Sequence, residues 1–209
     1  MIINGYSPSQ IQRTLSELGL PYTQGEIKKI VDELRERLED FKTRQLPSEV
    51  FALFIDGYHT DIKQSKKVRK ACVYTVLGID LQGQRDIYGF YEFFGSESKD
   101  GWLRVLNDLL DRGLQKVVVV VSDDFPGLSD AIKALYPQTE HQLCFVHLKR
   151  NINRNMGKEA SKEFLKRLHQ IKQFNAGFED AVEEFKALCD RYEESYPYFM
   201  RELKAKAEK

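Results

Sequence analysis

A chain of 209 residues has room for one substantial domain and a small appendage. With 42% apolar and 31% charged residues it is neither disordered nor fibrous in composition, and 32 Lys+Arg against 32 Asp+Glu leave only the distribution of charge to speak about partners. The longest apolar run, residues 117–121, is too short to span a bilayer, the first residues lack a basic-then-apolar leader, and Cys72, Cys144 and Cys189 form no paired framework; the expectation is a cytoplasmic protein with no membrane partner.

Taken in chain order, Ser7-Pro8-Ser9-Gln10 and Thr23-Gln24-Gly25-Glu26 are capping boxes, each opening a helix. The first helix has Ile11, Leu15 and Leu18 on one face; the second, longer one has Ile27, Ile30, Val31, Leu34, Leu38 and Phe41. Two capped helices over residues 1–46 read as a helix-turn-helix-like pair, with an αα-hairpin that packs or dimerises as the equal alternative. After Pro47 the pattern turns to strands: 50–55, ending in Asp56-Gly57, then 71–79, an Asp80-to-Gly83 turn, and 85–94. A helix over 99–112 is stopped by Gly113, and the β-branched run 117–121 predicts a central strand buried on both faces, with Ser122-Asp123-Asp124 at its end. A helix through Ala131, Ile132 and Leu135 closes at Pro137, and 141–146 is a last strand. The order predicts an α/β fold for residues 47–150, a mixed five-stranded sheet flanked by helices. Residues 151–209 read as all helical, with faces through Phe164, Leu168 and Ile171 and through Phe178, Val182, Phe185 and Cys189.

Asp56 and Asp123 stand at comparable strand ends. If their strands are neighbours, both acids leave one sheet edge together, an arrangement suited to hard divalent cations and to in-line displacement at phosphate. Either Asp alone is better explained as a strand-end turn residue, both together on this element order favour the site, and alternation does not choose between Asp123 and Asp124. Two basic clusters flank the pair in sequence. One comprises Lys63, Lys66, Lys67, Arg69 and Lys70, in the loop expected after the Asp56 strand. The other begins with Lys149, Arg150 and Arg154. Both suit phosphate contacts, against the plainer reading of solvated faces. Cys144-x-x-His147 has no second pair at zinc-ligand spacing, so a structural role at a strand end beside the site is expected.

Phe54-Ile55-Asp56-Gly57 and the stretch from Ala71 to Gly83 resemble the first strands of mutator-type insertion-sequence transposases. So do Ser122-Asp123 with Gly127, and Gln142-Leu143-Cys144-Phe145-Val146-His147 with Arg150-Asn151, in the same order; Gly5-Tyr6-Ser7 onward is similar to that family's helix-turn-helix stretch. The resemblance implies an RNase H-like fold with a helical insertion after the last strand. It also implies Asp56 and Asp123 as the first two catalytic, metal-binding acids, with Cys144 and His147 beside them. DNA strand cleavage and transfer with Mg²⁺ or Mn²⁺, DNA as partner, and self-association or association with a full-length transposase follow from it. The family's third acid, a Glu in an Asn-Ala-Ile-Glu context, has no match here; Asn175-Ala176-Gly177-Phe178-Glu179 has the wrong spacing and comes too early. The expectation is therefore an incomplete insertion and a fragment inactive alone. The alternatives are a non-catalytic DNA-binding or transposase-inhibiting product, and another RNase H-like nuclease.

Overall fold

A computed structural model describes residues 7–20, 22–64, 67–95, 98–173 and 177–207. Gly5, Tyr6, Lys66, Asn175 and Ala176 lie outside them. Helix α1 (Pro8–Glu17) opens with the expected reciprocal cap: the Gln10 amide donates to Ser7 Oγ at 3.3 Å and the Ser7 amide donates to Gln10 Oε1 at 2.8 Å. Thr23 and Glu26 cap α2 (Gln24–Thr43) in the same way, and these bonds hold the Glu26 carboxyl below its ordinary range. Of the apolar face expected on α2 only Ile27 is buried; Ile30, Leu34 and Leu38 are 43–46% exposed. Among the described residues the helix meets α1 at its start and the sheet at its end, through Phe41 against Phe90 with ring centroids 5.8 Å apart, and its middle keeps that face open.

The five strands are β1 (Glu49–Gln64), β2 (Lys67–Ile79), β3 (Arg85–Phe94), β4 (Lys116–Ser122) and β5 (Glu140–Leu143), in the order β3-β2-β1-β4-β5. β1 pairs antiparallel with β2, and β2 with β3, while β1–β4 and β4–β5 are parallel. Helices α3 (Lys99–Asp111) and α4 (Leu128–Leu135) pack together and share one core with the sheet. At its centre Tyr74 meets Trp102 edge-on at 4.4 Å and Phe125 at 5.1 Å. This is the mixed, helix-flanked sheet that the element order predicted, and the RNase H-like fold that the resemblance implied.

Three details differ from expectation. β1 does not end at Asp56; it continues to Gln64 because β2 stays paired with it, Lys63↔Val68 and Gln64↔Lys67 included, after β4 has ended. The expected loop is thus a β-ribbon. Strand β5 stops at Leu143, and Cys144 caps helix α5 (Phe145–Asn155), so Val146 and His147 are helical. Strand β4 is central but not buried on both faces: Val118 is 45% exposed, and nearby Phe54 and Phe90 are 39% and 44% exposed, because α3 and α4 cover one side only.

After α5 come α6 (Lys158–Gln173), α7 (Phe178–Asp190) and α8 (Pro197–Ala205). They enclose a second core of Ile152, Phe164, Leu168, Cys189, Met200 and Leu203, among others. Phe178, expected on the inward face of α7, is 69% exposed. Arg112, just past α3, is buried and ties the start of the chain to the sheet. It donates to the Tyr88 carbonyl at 2.7 Å, the Arg44 carbonyl at 3.0 Å and the Asp108 carboxylate at 3.2 Å. No described helix is long and apolar enough to cross a membrane.

Candidate active site

Parallel pairing of β1 and β4 ends at Ile55↔Ser122, so Asp56 is the next residue of β1 and Asp123 the first residue after β4. Neighbouring strands lie about 4.8 Å apart, which brings the two acids out of the sheet side by side. Each also makes the same local contact. Asp56 Oδ1 accepts from the Gly57 amide at 3.0 Å, and Asp123 Oδ1 accepts from the Asp124 amide at 2.9 Å.

The glycine after Asp56 has a packing cause. A Cβ there would lie 2.9 Å from the Tyr74 ring and 3.1 Å from Cys72 Sγ, so the core aromatic crosses the strand where only hydrogen fits. Gly127, between Asp123 and α4, has φ +77° and room for no Cβ, which would meet the Lys99 backbone at 2.6 Å. These two glycines let the strand after Asp56 and the turn after Asp123 lie close against their neighbours.

Helix α5 brings the Cys-x-x-His pair to this edge. The Cys144 amide donates to the Ser122 carbonyl at 2.7 Å, which anchors the start of α5 to the end of β4. One turn on, His147 Nε2 lies 3.7 Å from Asp56 Oδ1 and 3.4 Å from the Arg150 guanidinium. A guanidinium only donates, so Nε2 accepts from it, and the buried Nδ1 of His147 has no hydrogen-bond partner among the described residues. Lys149, Arg150 and Arg154 are exposed on the same helix. Asp124 is held elsewhere: its carboxylate is 2.7 Å from Lys206 Nζ. Burial alone would lower the Lys206 ammonium, but hydrogen bonds to Asp124 and Glu202 raise it above its ordinary value.

Sequence reading passed over Lys206 and His141. Lys206 gives no local signal, since it meets Asp124 only through the packing of α8. His141 carries one faint sign, its place on a strand beside β4. Its Nε2 lies 2.9 Å from Ser122 Oγ, whose hydroxyl donates to the Asp123 carbonyl at 2.7 Å. Of the two basic clusters, Arg69 and Lys70 lie exposed on the ribbon, and Lys63 and Lys67 are strand positions within it. Among the described residues, no group of three or more His, Cys, Asp or Glu side chains is disposed to hold a metal ion.

A β3-β2-β1-β4-β5 sheet with two acids at the ends of its neighbouring β1 and β4 pairings defines an RNase H-like protein. Residues 1–209 match the sequence model of the transposases of the Mutator family, and the chain belongs to that family. It is 31% identical to the transposase for insertion sequence element IS905 of Lactococcus lactis over 73% of this chain and 40% of that protein. It is 27% identical to the transposase for insertion sequence element IS1201 of Lactobacillus helveticus over 98% of this chain and 56% of that one. The chain therefore spans about half the length of these relatives. Among solved structures, the HTLV-2 integrase catalytic core domain in complex with magnesium is similar at 16% identity and a TM-score of 0.27. That match covers 59% of this chain and 76% of that one, and is too loose to bear on the site.

Proposed function

We propose that this chain carries the first two acids of a transposase site for DNA strand cleavage and transfer, Asp56 and Asp123, and that it contacts DNA beside them. The observation that carries the reading is the β1–β4 register, which ends immediately before both acids. In this reading residues 1–46 are the helix-turn-helix-like pair, 47–150 the catalytic core and 151–209 part of a helical insertion, in a cytoplasmic protein.

The donor set fits a divalent metal in kind: two carboxylates suit a hard cation such as Mg²⁺ or Mn²⁺. When bound, such ions activate an attacking oxygen and stabilise the leaving oxygen at phosphorus. The chain's own residues hold the parts in place. Asp56 and Asp123 supply oxygens from a rigid sheet edge. His147, anchored through Cys144, stands beside Asp56, and Arg150, Lys149 and Arg154 supply positive charge for phosphate. The Lys206 pair keeps Asp124 turned from Asp123, which supports Asp123 as the ligand.

Calorimetric titration with Mn²⁺ tests this. Binding is expected to be weak in the unsubstituted chain, abolished by Asp56→Asn or Asp123→Asn, and retained in Asp124→Asn; unchanged binding in both of the first two variants overturns the assignment. With two acids, the chain alone is expected not to join strands. One observation favours the alternative of a non-catalytic DNA-binding product: no three-ligand group occurs among the described residues. Metal-dependent strand transfer by the purified chain, lost in Asp123→Ala, decides against that alternative.

A further inference from the structure

β1 is 16 residues long, where strands average about 5–6, and among the described residues its second half pairs with β2 alone. Pairing with β4 stops at Ile55↔Ser122 and pairing of β2 with β3 begins at Ala71↔Phe94, whereas β1 and β2 remain paired out to Gln64↔Lys67. Beyond Thr60↔Ala71 the described residues form a two-stranded ribbon with both edges open. Such a ribbon is marginally stable in water by itself. This one buries little: Tyr58 at its base is 71% exposed, Val68 near its tip is 67% exposed, and Asp61, Arg69 and Lys70 are exposed. From Thr60 to Gln64 the two-stranded part reaches about 13 Å at roughly 3.3 Å per residue, a little over a third of the ~34 Å of one DNA turn.

We infer, building on the DNA-contact reading above, that this ribbon is an arm lying in the groove of the duplex whose backbone is presented to Asp56 and Asp123. Three observations point there. A two-stranded ribbon has the width that the major groove admits. Residues 60–70 carry five basic side chains against Asp61 alone, which suits a polyanion and repels a second copy of the same arm. Strand alternation places Tyr58 on the face of Asp56, two residues along, where its exposed ring is set to lie against the nucleotide beside the bound phosphate. A protein strand added to the open edges is the competing occupant, and it would have to tolerate the same five charges.

Cross-linking from defined positions tests the arm. Val68→Cys, and Gln138→Cys in the exposed turn before β5 at the opposite end of the sheet, are each labelled with an azidophenacyl photoreagent. They are then irradiated with a duplex of about three turns; the unsubstituted chain, whose Cys144 takes up the same reagent, is the blank. DNA adducts are expected from position 68 and only blank levels from position 138. In parallel, Arg69→Ala with Lys70→Ala is expected to lower the slope of log Kd against log salt by about 1.8, two phosphate contacts at roughly 0.9 each. Normal duplex binding with no adduct from position 68 overturns the arm and leaves the two-acid site standing. Adducts to a second copy of the chain also overturn it, in favour of self-association, and failure to bind duplex at all overturns the arm together with the DNA-contact reading.

Discussion

Replacing Arg112 with Met should cost about 3–5 kcal/mol, the range for removing one partner of a buried, hydrogen-bonded charge. Arg112 is 6% exposed and its guanidinium donates to three main-chain carbonyls, at 2.7, 3.0 and 3.5 Å, and to one carboxylate at 3.2 Å. Each charge-assisted bond is worth roughly 1.5–3 kcal/mol, and Met retains the packing of the aliphatic stem, so the loss isolates the polar contacts. Against a total of about 5–15 kcal/mol for a domain, this is a large fraction. At about 2–4 °C per kcal/mol for a chain of this size, the melting temperature should fall by roughly 10 °C. Trp102 is the single tryptophan and is fully buried, so its emission in a urea titration reports the core directly. Asp108→Ala, alone and combined with Arg112→Met, separates the ion pair from the carbonyl bonds. A loss below about 1 kcal/mol at unchanged urea dependence would falsify the claim that Arg112 fastens the 44-to-46 connection and β3 to α3.

Gly127→Ala should destabilise by about 2–4 kcal/mol, since φ +77° and a backbone atom 2.6 Å from the new Cβ both oppose it; urea denaturation giving less than 0.5 kcal/mol, about the scatter of a neutral surface change, refutes this. Burial first, then the 2.6 Å bond to Asp108, pushes the Tyr91 hydroxyl well above its ordinary value. Its contribution is therefore present below about pH 10, the unfolded value, and is lost as pH rises beyond it. Stability measured from pH 8 to 11 should fall less steeply in Tyr91→Phe than in the unsubstituted chain, and parallel curves count against the assignment. Of the three thiols only Cys144 is not buried, and burial pushes Cys189 up to about 12. A disulfide reagent at neutral pH should modify one thiol quickly in the native chain, and Cys144→Ser should remove that fast phase.

Much of the architecture was legible because its signals are local. The capping boxes at Ser7 and Thr23, the stop at Gly113, the turn closed by Gly83 and the unbroken Val117-to-Val121 run each state their own element. Their order then dictates a mixed sheet, since three strands that pair in sequence must be followed by parallel crossovers. The resemblance singled out Asp56, Asp123, Cys144 and His147 as residues, and the fold sets Asp56 and Asp123 directly after the last β1–β4 pair, with His147 3.7 Å from Asp56.

Tertiary structure decided what depends on a distant neighbour. The end of β1 is set by how far β2 accompanies it, so sequence pattern placed the strand end at Asp56 when only the β4 pairing ends there. Helix α5 starts at Phe145 because Cys144 is drawn to the Ser122 carbonyl, a contact absent from the local pattern of 141–146. Alternation does not choose between Asp123 and Asp124 and the resemblance points to Asp123; the contact of Lys206 with Asp124 forms only once α8 has packed. By itself the sequence determined the elements and their order, because capping, turn chemistry and hydrophobic period act over a few residues. Where β1 ends, which acid is tied up and which apolar faces stay open were decided by the fold, because each depends on a partner that the chain brings near only by folding.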